Sequence, residues 1–207
     1  MPAPWGNSQN FLWVCLELRF GDLICFDRAM NTDAIPFANY ADRVQHRIEQ
    51  HYGVRIVTRD IPDPLTGDLD GEQIHIDYAV TPEQRLFLLA HLFGHTVQWN
   101  VDPELFELGR QYKPPVDERL LPAIIEYELE AARYGLQLCE EAGIRGIGRW
   151  FSAYTVCDRE YLLHFYRTGQ KGDFRSYWSG DVALVEPKVI PAFKPTKRAF
   201  RMDGIVL

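Results

Sequence analysis

The chain has 207 residues, 46% of them apolar and 25% charged, with a formal net charge of −7. These values suit one globular domain with a core of ordinary size and modest additions at its ends. The acidic balance disfavours nucleic acid as a partner of the whole chain, and no apolar run approaches the roughly 18 residues of a membrane span.

At the N-terminus the apolar stretch 11–15 is soon broken by Glu17 and Arg19, so it does not read as a secretory signal. The expected location is the cytoplasm. Cys15, Cys25, Cys139 and Cys157 include no Cys-x-x-Cys pair, and reduced, mostly buried thiols are expected.

Residues 11–20 and 22–28 have strand composition and meet near Gly21-Asp22, so segment 1–36 is expected to hold a β-hairpin extension. Pro36 precedes an amphipathic helix over 39–51, which Gly53 ends. A β-branched run follows at 54–58, then a loop over 60–68 rich in Pro, Gly and Asp. Asp70-Gly71 signals a turn. Residues 73–79 alternate, which predicts a half-buried strand with Ile74, Ile76 and Tyr78 inward and His75 and Asp77 toward solvent. An extended peptide is expected to add beside this strand.

Thr81, Pro82 and Gln84 form a capping box with proline at the first helical position, starting a helix over 82–99. The stretch 100–116 reads as a loop with Pro114-Pro115. A second long helix begins at Glu118 or Pro122 and runs to Ala142, with Gly143 as its C-cap, and a third covers 146–167. Together 37–184 read as one α+β domain: three main helices with a small twisted sheet. The tail 185–207 contains Pro187, Pro191 and Pro195 with Lys188, Lys194, Lys197, Arg198 and Arg201, and is expected to be extended or mobile. It reads either as a docking segment or, more simply, as a solvated basic tail.

His91 and His95 lie four apart within the 82–99 helix, which stacks two imidazoles on one face and suits two ligands of one zinc ion. On the second helix Leu121, Ile125, Leu129, Ala132, Leu136 and Cys139 share an apolar face, and Glu128 falls in its middle. A carboxylate there is costly unless a cation or a buried arginine meets it. Glu130 is the runner-up ligand, but points about 200° away at 100° per residue. On the third helix Trp150, Tyr154, Cys157, Tyr161, His164 and Phe165 share a face. Tyr161 and His164 are candidates to stabilise an oxyanion; the simpler reading is an aromatic core face. His46 and His51 read as surface residues.

The run Glu83-Gln84-Arg85-Leu86-Phe87-Leu88-Leu89-Ala90-His91-Leu92-Phe93-Gly94-His95 resembles the zinc helix of ImmA/IrrE-type metallopeptidases, whose pattern is close to Arg-x-Phe-x-x-Ala-His-Glu-x-Gly-His. Glu128-Leu129-Glu130-Ala131-Ala132-Arg133-Tyr134 resembles the family's Glu-x-Glu-Ala-Asn/Asp-x-Phe segment. The likeness spans about 39–142. It implies a zincin-like domain, with His91, His95 and Glu128 as zinc ligands and water in the fourth place.

Two departures matter. Leu92 stands where the family has its catalytic glutamate, and leucine can neither take a proton nor orient water; losing a general base costs about 10²–10⁴ in rate. Ala132 stands where the family often has Asp or Asn, which would hold a ligand imidazole by a second hydrogen bond. The resulting expectation is a catalytically impaired zinc-peptidase homologue that binds a protein or peptide, a transcriptional regulator by analogy with the family's repressor substrates. The alternatives are an active zinc hydrolase with an unconventional base, and a metal-free structural module.

Overall fold

A computed structural model describes residues 35–61, 65–111, 115–170, 172–198 and 205–206. The hairpin expected within 1–36, with Cys15 and Cys25, lies outside the described residues. The fold is α+β, as expected. Among the described residues there are five α-helices: α1 (Phe37–Arg47), α2 (Pro82–Val101), α3 (Pro103–Gln111), α4 (Leu121–Glu141) and α5 (Gly148–Thr168). The strands are β1 (Arg55–Arg59), β2 (Leu65–Leu69), β3 (Gln73–Asp77) and the two-residue β4 (Ile205–Val206), in the order β1-β3-β2-β4. β1 runs parallel to β3, while β2 is antiparallel to both β3 and β4. No described helix is long and apolar enough to cross a membrane.

The centre of the molecule is α2. Its start is fixed as the sequence indicates: the Gln84 amide donates to the Thr81 hydroxyl at 3.3 Å, and the Thr81 amide to the Gln84 side chain at 2.9 Å. Every residue from Leu86 to Gln98 is buried, so α2 is enclosed on all sides and its polar residues are held away from water.

Its crossing with α4 is unusually close because small residues meet there. A Cβ placed on Gly94 would stand 2.0 Å from the Ala131 carbonyl oxygen, and one on Gly135 2.7 Å from that of Ala90. Backbone therefore lies against backbone. This crossing brings Glu128, one turn before Ala131, onto the His91–His95 face.

The sheet differs from the sequence reading in three ways. β2 forms where a loop was expected; Pro, Gly and Asp in 60–68 masked a strand whose partners lie elsewhere in the chain. His75 and Asp77, expected to face solvent, are buried. β3 lies between β1 and β2, and Asp77 is satisfied inside the fold, accepting the Ile61 and Ala79 amides at 2.7 Å each. Tyr78, expected inside, is 67% exposed because the strand ends at Asp77 and the chain turns. The central place of β3 also removes the free edge at which a peptide was expected to add.

The second missed element is α3, within the stretch read as a loop. Asp102 precedes Pro103 and accepts the Glu104 and Leu105 amides at 2.8 and 3.2 Å, an N-terminal signal present in the sequence but outweighed by Pro114-Pro115. α4 and α5 end within about two residues of their predicted bounds, and Gly143 takes the left-handed conformation (φ 73°) expected of its cap position. The 39–51 helix is α1 prolonged by a wide π turn, Ile48–Tyr52, before Gly53.

Residues 185–198 are extended and laid along the domain. The Val185 amide donates to Ser152 Oγ at 2.8 Å, that of Thr196 to Asn100 Oδ1 at 3.0 Å, and that of Arg198 to the Asp70 carbonyl at 2.7 Å. Phe193 stacks on Tyr52, and Lys188 pairs with Glu130. Part of the basic charge read as a docking feature is thus spent within the chain.

Candidate metal centre

Three atoms converge at the α2–α4 crossing. His91 Nε2 and His95 Nε2 are 3.0 Å apart, and Glu128 Oε2 lies 3.1 Å from each. All three residues are at most 5% exposed. Donor atoms bound at about 2.0–2.1 Å to a tetrahedral zinc stand about 3.3 Å from one another. The observed triangle is just inside that spacing.

Aromatic neighbours hold the rings. Phe87 stacks on His91 with centroids 5.3 Å apart, and Tyr127 on His95 at 4.5 Å. His95 Nδ1 lies 2.8 Å from Gln98 Oε1. A carbonyl oxygen only accepts, so Nδ1 carries the proton and Nε2 presents its lone pair to the triangle. Gln98 is itself fixed, its amide donating to the Tyr127 carbonyl and to Glu130, each at 2.9 Å. His91 has no such support among the described residues, where its buried Nδ1 has no hydrogen-bond partner.

The charges agree with a cation site. Burial, and then His95, push the pKa of His91 down, against the pull of Glu128. Burial works to raise the pKa of Glu128, but the two histidines win and hold it down at about 2. A neutral imidazole and an ionised carboxylate are the forms that bind a metal. Three donor atoms 3.0–3.1 Å apart in a buried site could hold a metal ion.

The other sequence candidates stand outside the triangle of donor atoms. Glu130 pairs with Lys188 and Gln98, outside the triangle. Tyr161 packs on Phe174 and Tyr177 and lies near enough to Asp158 to feel its charge, and His164 lies beside Tyr177. Trp150, Tyr154 and Cys157 of the same face are buried in the core. Leu92 is fully buried, and its Cδ1 is directed at β2, 2.9 Å from where a Cβ on Gly67 would stand.

Two residues escaped sequence reading. Gln98 lies one turn beyond His95, which was the available signal. Asp158, on α5, brings Oδ2 to 3.9 Å from His91 Nε2 and is 2% exposed. Burial, followed by the charge of Glu128, pushes its pKa well above the carboxylate range.

Gln98→Ala should weaken metal affinity about 10–100-fold, the usual effect of losing a ligand's hydrogen-bond partner. Competition with a chromophoric chelator measures this. Melting of the metal-free protein separates it from a loss of fold, since Gln98 also ties α2 to α4.

Searches of family models, curated proteins and solved structures find no match to this chain. The class defined by fold and site is an α+β domain with a buried His-His-Glu group that could hold a metal ion.

Proposed function

We propose that this chain is a zinc-binding, metallopeptidase-like protein with impaired catalysis that acts by binding a protein or peptide. The observation that carries the reading is the convergence of His91, His95 and Glu128. A zinc ion held by these residues would polarise a carbonyl and acidify water. The chain's own contribution to hydrolysis is deficient, because Leu92 occupies the place of the proton acceptor. A zincin-like fold and a regulatory-protein partner are part of this proposal and rest on the motif resemblance.

The test is metal analysis of the purified chain. About one zinc per chain is expected, and His95→Ala should retain almost none while keeping its helical circular dichroism. A wild-type chain that takes up no divalent ion, even when zinc is supplied after refolding, would leave only a metal-free structural module.

A further inference from the structure

The resemblance puts water in the fourth position, yet the structure brings a further carboxylate to the triangle. Asp158 projects from α5 in the midst of the aromatic core, and its one ion-pair contact among the described residues is His91. Its Oδ1 is buried without a hydrogen-bond partner among the described residues. A buried carboxyl so placed either takes up a proton or shares a cation, and the neighbouring triangle offers the cation.

A divalent ion shared with His91, His95 and Glu128 would give this buried side chain a partner. Two neutral imidazoles and two carboxylates carry −2, and one dication brings the buried cluster to zero. Access points the same way: His91, His95, Glu128 and Asp158 are 1, 4, 5 and 2% exposed. Structural zinc sites are closed and take four protein ligands, whereas catalytic ones keep an open position.

We propose that Asp158 is the fourth donor of this centre, making it a closed site that ties α5 to the α2–α4 crossing. This rests on the metal reading above. Asp158 Oδ2 stands 3.9 Å from His91 Nε2, against 3.0–3.1 Å within the triangle, and lies outside the group of atoms within 4.8 Å of one another. Ligation therefore requires its carboxylate to turn inward about its two side-chain torsions. A closed centre explains why Leu92 is tolerated, because a site without an open position needs no proton acceptor.

The test uses the full chain, stripped of metal and loaded with cobalt(II), whose visible absorption reports its ligands. Wild type should bind one cobalt with a tetrahedral spectrum that azide does not alter. Asp158→Asn, nearly the same shape, should bind at least about 10-fold more weakly, the smallest effect typical of losing even an outer partner. Asp158→Ala should open a position, so that azide shifts its spectrum. Metal loading should also raise the melting temperature less in Asp158→Asn than in wild type, a reading that holds if the alanine variant does not fold. A wild-type spectrum that azide shifts, or unchanged cobalt affinity in Asp158→Asn, overturns the proposal. Failure of the wild-type chain to bind any cobalt instead overturns the metal reading on which it rests.

Discussion

Gly94→Ala should destabilise this protein by at least about 3 kcal/mol, the upper part of the range for overpacking a core. The added Cβ would lie 2.0 Å from the Ala131 carbonyl oxygen, 2.6 Å from its carbon and 2.7 Å from its Cα. These are backbone atoms of α4 and cannot rotate away as a side-chain end could. The helices must separate, and with them goes the register that sets Glu128 against His91 and His95. Urea denaturation should show the loss, and metal titration should show weakened binding in whatever fraction remains folded. Gly135→Ala should act in the same direction, its Cβ meeting the Ala90 carbonyl oxygen at 2.7 Å. Gly148→Ala is the control, since nothing among the described residues lies within 4 Å of its Cβ position. A Gly94→Ala protein as stable as the Gly148→Ala control would show that the crossing is looser than described.

The same crossing shows how far the site was legible beforehand. The spacing of His91 and His95 and the misplaced charge of Glu128 are local features, and helical periodicity alone places them on facing surfaces. Gly94 and Gly135 belong to the same signal, but their meaning depends on which backbone they touch. Asp158 was legible by the argument that found Glu128. It lies four residues after Tyr154 and three before Tyr161, a carboxylate in the middle of an apolar helix face. Attention to the aromatic residues there led to Tyr161 and His164 instead. The strands were harder. His75 and Asp77 alternate with isoleucines as on a half-solvated strand, and only the flanking β1 and β2 and the amides of Ile61 and Ala79 make them interior. β2, with Gly67 and Asp68, has little strand propensity of its own and depends on pairing with β3.

Peptide hydrolysis by the unmodified, zinc-loaded chain should be absent, or at least about 10²-fold slower than that of a peptidase with glutamate after the first histidine, from the worth of a general base. Leu92 is apolar, fully buried and turned toward Gly67 on β2. On α2, Glu83 is the nearest carboxylate N-terminal to His91, more than two helical turns away along the axis. Leu92→Glu places a proton acceptor on the ligand helix, but Asp158 still fills the remaining position, so this change alone should produce little turnover. Leu92→Glu combined with Asp158→Ala supplies both the base and the opening, and should exceed either single variant. Initial rates on a mixed peptide library, with and without chelator, measure this; His95→Ala in the double-variant background should return them to the blank. Chelator-sensitive turnover by the unmodified chain that survives substitution at Leu92 would sink the impaired-enzyme reading, and the proton acceptor would then have to come from another part of the chain.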